Sequence, residues 1–342
     1  MNSSIPLLSL ALLAGFAATP PPTVSTVSPY GGQRGTEVEV TFYGARLDGA
    51  YDVLLPREGI ELMAIEAIKN NQCKATLRIA PDCPLGAHPM RLCTEHGVAR
   101  LRMFHVGALP EVREDRDAEV QAIPLGVTVN GRIRDEETDR FAVELTQGQR
   151  LCCELQAMRL GSSAKDMAIR VYGPDGSLVA RADDTALGHK DPWLSFRATA
   201  TGPHEVHVQP AFPDNGNRGS YRLHVGSFPR PTAAQPSGGA PGEQLTVTLV
   251  EQDLGARTPT TAQVTLPDDG SDWLSWYPED DRGAAPTPVT LRIGGPPNMA
   301  LQTDEKGRRW LEPSGSVDGV VSKPDTADRF WFKAKKGSRI EF

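Results

Sequence analysis

A short stretch near position 275 combines aromatic and acidic residues in the way that sugar-binding surfaces do. DWLSWYPEDD, residues 272–281, contains Trp273, Trp276 and Tyr277 among four carboxylates. Aromatic faces stack on the apolar faces of carbohydrates, and carboxylates accept hydrogen bonds from hydroxyl groups. The three aromatic residues are therefore candidates for a carbohydrate site. Alternatively, one tryptophan fills a protein core and the others cover its edge, because buried aromatic side chains are common.

Two histidines in PHEVH, His204 and His207, have a spacing that would place them on one face of a helix. The neighbouring residues alternate as on a strand, with His204, Val206 and Val208 on one face and Glu205 and His207 on the other. The two imidazoles therefore diverge, and the pattern favours an ordinary half-exposed strand over a metal site.

The sequence lacks the short motifs that would assign an enzymatic mechanism. There is no H-E-x-x-H zinc motif, no G-x-S-x-G nucleophile motif and no C-x-x-C pair. DNGNRG and DEETDR both depart from the EF-hand loop pattern. We therefore expect no catalytic residues within residues 1–342, and a catalytic domain in a downstream extension stays open.

Length and charge restrict the class of protein. A chain of 342 residues suits two to four modules of about 100 residues each. The net charge of -7 and the absence of a Lys/Arg block exclude nucleic acid and anionic lipid as expected partners, since both require a concentrated basic face.

The N-terminus has the pattern of an export signal. Residues 5–18, IPLLSLALLAGFAA, form an apolar run that is followed at once by TPPPT. The run has signal-peptide length and is too short to span a bilayer. We predict a signal peptide over residues 1–18 and a secreted, periplasmic or cell-surface protein with no membrane span after cleavage.

Five cysteines in an exported chain suggest disulfides, but their predicted directions do not. Residues 72–80 and 87–95 are predicted to form a hairpin in which Cys73 faces the core and Cys93 faces away. The adjacent Cys152 and Cys153 also face opposite ways. We expect mostly free thiols.

Two phrases of the sequence occur twice. VNGRIRDEETDRFAVELTQGQRL at 129–151 returns as VDGVVSKPDTADRFWFKAKKGSRI at 317–340, and SPYGGQRGTEVEVTFYGARL at 28–47 returns as QPSGGAPGEQLTVTLVEQDL at 235–254. Each copy is one folding unit. We name the units, in chain order, the first A, first B, second A and second B modules. Because the first B module continues for 75 residues from Leu151 to Gly226, the second is incomplete here, and we expect the sequence to be either a fragment of a longer protein or a prematurely ended reading frame.

Strand patterns run through both kinds of module. The A phrase leads from Pro-x-Gly-Gly to a strand with period-two apolar positions, and glycine there is expected to supply the positive φ of a tight turn. The first B module contains eight short apolar-alternating segments near residues 126, 139, 150, 167, 177, 193, 204 and 219, separated by turns such as GPDG. The pattern predicts an all-β protein of tandem β-sandwiches.

Each kind of module resembles a known family. VNGRI, ETDRFAVELTQGQRL, YGPDGSLVARADD, DPWLSF and GSYRLHVG of the B module resemble the bacterial pre-peptidase C-terminal (PPC) domain, a jelly-roll-like β-sandwich. SPYGGQRGTEVEVTFYG and APDCPLGAHPMRLCTEHGVA of the A module resemble the IPT/TIG immunoglobulin-like domain. The alternation behind a signal peptide is similar to large exported proteins of planctomycete-type bacteria. The resemblance implies accessory modules beside secreted peptidases or on cell surfaces.

The PPC resemblance also implies a calcium site. Relatives in clostridial collagenases bind calcium through acidic residues of the entering linker and of a D-x-D-x-F-like strand start. The matching residues here are Glu114 and Asp117 in the linker and Glu137 and Asp139 at the strand start, while Arg116 stands where an oxygen ligand is expected. Calcium takes about six to eight oxygen ligands. The alternative is that these are solvated turn charges.

These observations define one expected organisation and three functions. The domains are a signal peptide (1–18), an IPT/TIG-like module (22–107), a PPC-like module (111–226), a diverged IPT/TIG-like module (229–294), a linker (295–316) and the start of a second PPC-like module (317–342). The leading hypothesis is an exported non-catalytic scaffold that binds an extracellular protein or polysaccharide. The alternatives are the N-terminal accessory region of a larger secreted hydrolase or peptidase, and a carbohydrate-binding module protein.

Overall fold

The computed structural model describes residues 20–134, 136–161, 165–185, 190–212, 218–253, 256–299, 301–319 and 326–341. The predicted signal peptide, residues 1–18, lies outside these ranges. The described residues form strands and one 3-10 turn, Met158–Leu160; the strands make three successive two-sheet units followed by one three-stranded sheet. The prediction of an all-β chain of tandem β-sandwiches is confirmed. No helix in the described ranges has the length and apolar character needed to cross a membrane.

The first A module is a sandwich of two sheets, ordered β1-β3-β6-β5 and β2-β9-β7-β4, with β8 pairing β7. Its core lies between them and includes Val40, Phe42, Leu77 and Phe104. The strands are β1 (Thr23–Ser28), β2 (Gly31–Gln33), β3 (Glu37–Ala45), β4 (Ala50–Leu54), β5 (Ile60–Lys69), β6 (Gln72–Ile79), β7 (Gly86–Thr94), β8 (Gly97–Val98) and β9 (Arg102–Gly107).

The predicted hairpin between residues 72–80 and 87–95 is wrong. β6 pairs with β3 and β5, whereas β7 pairs with β9 and β4, so the turn between them crosses from one sheet to the other. Both strands carry one apolar face, and alternation alone fits a hairpin and a crossing equally well. Cys73 does face the core, and all five cysteines are buried free thiols.

The glycines of the A phrase have two separate roles. Gly35 and its counterpart Gly242 have the positive φ values expected of a turn, 80° and 73°. Gly31 and Gly238 instead lie in β2 and its counterpart strand, where an added Cβ would overlap the backbone carbonyl oxygen of the neighbouring strand. The prediction that glycine serves a turn therefore holds for the later glycine, and close backbone approach explains the earlier one.

The first B module is also a two-sheet sandwich, ordered β10-β12-β19-β14-β17 and β11-β13-β18-β15-β16. The eight predicted strands are confirmed. Phe141, Val143 and Leu145 face the core, and His204 alternates with His207 as expected on a strand. The strands are β10 (Glu111–Arg113), β11 (Gln121–Ala122), β12 (Val127–Ile133), β13 (Asp139–Leu145), β14 (Arg150–Gln156), β15 (Met167–Tyr172), β16 (Leu178–Ala182), β17 (Trp193–Arg197), β18 (Gly202–Pro210) and β19 (Gly219–Gly226).

The second A module repeats the strand order of the first in shorter form. Its sheets are β20-β22-β23 and β21-β27-β24, and β25 and β26 form a separate two-stranded ribbon. Leu245, Val247 and Leu249 face its core. The strands are β20 (Pro231–Gln235), β21 (Gly238–Gly239), β22 (Gln244–Asp253), β23 (Ala256–Thr265), β24 (Trp273–Trp276), β25 (Glu279–Asp280), β26 (Gly283–Ala284) and β27 (Val289–Ile293).

The segment assigned to a linker, residues 295–316, contains two strands. These are β28 (Gln302–Thr303) and β29 (Arg309–Trp310), which form one sheet with β30 (Phe330–Trp331). β29 runs parallel to β30, as β11 runs parallel to β13 in the first B module. In the described part of the second B module Phe330 is 40% exposed, whereas its counterpart Phe141 is 1% exposed.

Candidate functional site

The outer face of one sheet of the first B module is buried, although its residues are polar. Every residue of β14 and of β19 is buried, on both faces of the sheet. The polar set on the outer face comprises Arg150, Glu154, Gln156, Ser220, Arg222 and His224. Strand alternation predicts that such residues face water. Here the two A modules cover them, and this junction of three modules is the candidate site.

Glu154 is the centre of the first cluster in the junction. Its side chain is fully buried, and its carboxylate accepts a hydrogen bond from Arg159 at 3.0 Å and one from the Thr287 hydroxyl of the second A module. Arg230, in the segment that joins the two modules, lies 2.5 Å from the other oxygen. Burial opposes ionisation, but Arg230 and Arg159 outweigh it and lower the pKa of Glu154 to about 2. A fixed negative charge therefore connects three segments of chain.

Glu251 of the second A module is the centre of a second cluster. It accepts a hydrogen bond from Arg150 of β14 at 2.9 Å and from the backbone N–H of Arg230 at 2.7 Å. Arg282 approaches the same carboxylate at 3.3 Å. Arg150 and Glu251 are almost completely buried. Removing one partner of a buried ion pair costs about 3–5 kcal/mol, because the other charge stays buried and unpaired. Two such clusters fix the second A module against the first B module.

The first A module contacts the same face through an inserted turn. The 3-10 turn Met158–Leu160 places Leu160 in the hydrophobic core of the first A module. The buried Asp191 carboxylate holds this turn by accepting hydrogen bonds from the N–H of Met158 at 2.8 Å and from the Arg159 side chain at 2.7 Å. One B-module turn therefore supplies Leu160 to one neighbour and Arg159 to the other.

A cavity of about 160 Å³ lies where the three modules meet. The first A module contributes His105, the first B module contributes Arg222 and His224, and the second A module contributes Tyr277. Burial, followed by the charge of Arg222, lowers the pKa of His105 to about 3 and that of His224 well below its usual value. Both imidazoles are therefore neutral at pH 7.

The structure brings together three of the four predicted calcium ligands. The pKa of Asp139 is raised to about 7, mainly by burial and also by the nearby charges of Glu114 and Glu137. The hydrogen bond from the Tyr221 hydroxyl acts in the opposite direction and lowers this pKa. Arg116 lies between the two glutamates, 3.7 Å from Glu114 and 3.8 Å from Glu137.

The fourth predicted ligand, Asp117, is exposed, and its backbone N–H donates to Asp115 within a turn. In the described ranges, no group of three or more His, Cys, Asp or Glu side chains is arranged to hold a metal ion. The Arg116 guanidinium occupies the space between carboxylates that a cation would share. Calcium binding stays a prediction.

The three predicted sugar-binding aromatics do not share one face. Trp273 is 61% exposed on β24, an edge strand. Trp276 is half-buried and packs against the core of the second A module. Tyr277 lines the junction cavity, with its hydroxyl against Gly86 of the first A module. Trp273 alone is placed to stack on a ligand from solution.

Sequence reasoning missed the junction, although β14 and β19 carried a signal. RLCCELQ and SYRLHV place Arg150, Glu154, Arg222 and His224 in the two adjacent strands at the centre of a sheet. Opposite charges on the central strands of one face are compatible with a covered ion-pair network, since charged residues are rarely buried unless they are paired. The partners of these charges lie up to 133 positions away, at Thr287, so no local pattern identifies them.

No protein-family model matches the chain, and no curated protein matches it. Similar solved structures include the pre-peptidase C-terminal domain of a collagenase from Bacillus anthracis, with 18% identity, 32% of this chain and 98% of that chain covered, and a TM-score of 0.27. The lysozyme inhibitor PliG of Aeromonas hydrophila has 12% identity, coverage of 33% and 97%, and a TM-score of 0.25. SGBP-B from a xyloglucan utilization locus of Bacteroides uniformis has 13% identity, coverage of 60% and 72%, and a TM-score of 0.23.

The first of these structures bears the family name that the B module resembles in sequence, whereas the IPT/TIG resemblance of the A modules stays a prediction. Scores of this size transfer no function, so only the geometry of this chain bears on what it does.

Proposed function

We propose that the chain is an exported, non-catalytic scaffold that holds its modules in one fixed arrangement and presents them to an extracellular partner. The observation that carries this proposal is Glu154, which is fully buried and bound to residues of the first B module, the joining segment and the second A module. A flexible string of independent domains would leave such a carboxylate in water, because inter-domain surfaces are otherwise solvated.

A fixed arrangement supports binding because it reduces the entropy lost on association. Modules that are already oriented do not have to be ordered by the partner, so more of the contact energy appears as affinity. The buried polar groups of the junction also select one orientation, since any other leaves Glu154 or Glu251 buried without partners or forces both into water. In this proposal the ion pairs determine geometry, and the exposed faces determine the partner.

Small-angle X-ray scattering of the chain tests this proposal. We expect the wild type and the Glu144→Ala variant to give the same radius of gyration, because Glu144 is an exposed glutamate on β13. A Glu154→Ala/Glu251→Ala variant should give a larger radius of gyration, since the second A module loses both of its ionic anchors. A wild type that scatters as a flexible string, with no change in the double variant, would contradict the scaffold.

The exposed side chain of Trp273 favours a polysaccharide as the partner. Trp273 lies on the open edge strand β24, and the acidic residues Asp280 and Asp281 follow in the same segment. A single indole stacks weakly on a sugar ring, so we propose a low-affinity contact that repeats along a polymer. If a catalytic domain belongs to a longer form of the protein, the same scaffold would serve as its accessory region.

A further inference from the structure

The two outer faces of the first B module differ in how their charges are paired. The face that carries Arg150 and Arg222 is covered by the A modules, and both arginines are buried and paired with glutamates. The second face is the outer side of the sheet β11-β13-β18-β15-β16, where outward residues alternate with core residues along each strand. Arg170 on β15 and Arg181 on β16 are exposed there. These two arginines can therefore meet a partner from solution.

A row of basic side chains crosses this open face. The strand register places its four members directly opposite one another on adjacent strands: Arg140 on β13, His207 on β18, Arg170 on β15 and Arg181 on β16. Residues that lie directly opposite share one face of a sheet. Because neighbouring strands lie about 4.8 Å apart, the row is roughly 14 Å long. We call these four residues the basic row.

The Arg140 end of the basic row is neutralised by carboxylates. Arg140 binds Glu205 at 2.9 Å and Glu119 at 3.0 Å. The same Glu205 carboxylate lies 2.8 Å from Nε2 of His207. The acidic residues near this end are therefore already occupied by the row itself.

The other end of the basic row has no such compensation. Arg170 and Arg181 have neither a hydrogen bond nor an ion pair with any residue in the described ranges. Asp183 follows Arg181 by two positions, but its carboxylate accepts the backbone N–H of Asp184 at 2.8 Å and makes no ion pair with Arg181. Like charges directly opposite on a sheet are destabilising. A bound anion would remove this repulsion.

An aromatic ring lies beside the two unpaired arginines. Tyr172 follows Arg170 by two positions on β15, so both side chains are on the outer face. Its half-buried ring packs against the His207 ring, with the centroids 4.5 Å apart. Aromatic rings stack on the apolar faces of sugars, whereas a guanidinium binds an oxyanion through two parallel hydrogen bonds. The open face therefore combines the groups that an acidic sugar requires.

We propose that the basic row binds an acidic polysaccharide, with Arg170 and Arg181 on its carboxylate or sulfate groups and Tyr172 against a sugar ring. Each exposed ionic contact is weak, so a polymer that repeats its charge suits this face better than a single small anion. The members of the row come from four strands, so no local run of basic residues reveals them. This inference rests on the polysaccharide partner proposed above and specifies its charge.

Isothermal titration calorimetry of the whole chain with polygalacturonate and with dextran sulfate tests the basic row and separates carboxylate from sulfate recognition. We expect Arg170→Gln/Arg181→Gln to bind roughly tenfold more weakly than the wild type, because it loses two charge-assisted contacts. The control Arg100→Gln/Arg197→Gln removes the same charge from two exposed arginines outside the row and should bind like the wild type. All four positions are exposed, so the circular dichroism spectra of both variants should match that of the wild type.

The inference is wrong if the wild type binds neither polymer, or if the row variant binds no more weakly than the control. Polyglutamate or duplex DNA bound as tightly as the acidic polysaccharides would also overturn it, because the row would then recognise charge without sugar. Neutral polysaccharides offer the arginines no anion, so they test the Trp273 contact separately. A compact particle that binds neutral polymers through Trp273 and no acidic polymer keeps the proposed function and removes only the basic row.

Discussion

The two A modules share the same frame of six strands and differ in the strands that flank this frame. In both, an antiparallel three-strand unit, β1-β3-β6 or β20-β22-β23, faces a second unit, β2-β9-β7 or β21-β27-β24, that contains one parallel pair. The first copy adds β4 beside β7 and β5 beside β6. In the described residues of the second copy no strand pairs with the outer edge of β23 or β24, so both edges are open.

The second copy compensates for its smaller core with contacts to its neighbour. Its described core consists of seven buried residues, whereas the core of the first copy has nineteen, including Leu160 of the B module. At the position of Glu251 the first copy has Gly44, where a Cβ would overlap the Thr23 carbonyl. The same frame is therefore stabilised internally in the first copy and through an ion-pair network in the second.

The largest expected difference between the copies is in their cores. Phe42→Ala in the first copy should lower the free energy of unfolding by about 3–5 kcal/mol, because Phe42 is 1% exposed in a well-filled interior. Leu249→Ala, at the matching position of the second copy, should cost about 2–3 kcal/mol, since fewer core atoms surround it. Urea unfolding measures both. Equal losses would mean that the two cores contribute alike.

The Glu251 anchor should matter almost as much as a core residue. Glu251→Ala leaves Arg150 buried without its carboxylate and should cost about 3 kcal/mol. Glu251→Gln keeps the shape and one acceptor, so its loss should be smaller. Asp281→Ala, an exposed acidic residue of the same module, is the control and should stay within about 0.5 kcal/mol. An alanine variant as stable as that control would show that the pair is not an anchor.

Local periodicity is sufficient to predict where the strands lie, but it is insufficient to predict which strands pair with each other. DRFAVEL and PHEVHV alternate with period two, so their existence and inward faces can be predicted from sequence. The partner of a strand is set by contacts far along the chain, which is why alternation suggests that β6 pairs with β7 when it pairs with β3 and β5. The short β29, Arg309–Trp310, carries no alternation at all, so the sequence pattern predicts a linker there.

The candidate site is the least predictable part for a related reason. Arg150 and Glu154 on β14 look like a solvated face until two other modules cover them. The predicted calcium and sugar sites consist of residues from short segments, whereas the junction combines side chains of three modules. A sequence reveals residue types within a segment, but a covered polar face depends on what docks against it.

Acid should weaken the junction of the second copy through Glu154. Its pKa is about 2 in the folded protein and 4.5 is its ordinary value, so the stability from its ionisation is fully present above pH 4.5 and is lost as the pH falls toward 2. The Tm difference between wild type and Glu154→Gln should therefore narrow between pH 5 and about pH 3. Glu144→Gln is the exposed control. A constant difference over this range would contradict the buried, ionised carboxylate.

Asp139 should give the opposite pH dependence in the first B module, with a smaller effect because it is only half-buried. Its pKa is raised to about 7 from an ordinary 3.8, so its contribution to stability is fully present below pH 3.8 and is lost as the pH rises through about 7. Asp139→Asn should therefore gain stability relative to wild type between pH 5 and pH 8. Calcium at pH 8 should stabilise the wild type and not this variant if the predicted metal site binds.

The smallest effect on stability, and the clearest on binding, is expected at the open edge of the second copy. Trp273 is 61% exposed on β24, so Trp273→Ala should change the free energy of unfolding by less than about 0.5 kcal/mol. Tyr51 on β4, 62% exposed on an edge strand of the first copy, is the matched control. In affinity electrophoresis through soluble polysaccharides, Trp273→Ala should abolish retardation and Tyr51→Ala should keep it, because the proposed sugar contact is the Trp273 indole. Loss in both variants would assign binding to exposed aromatics in general, and retention in both would remove Trp273 as the sugar contact.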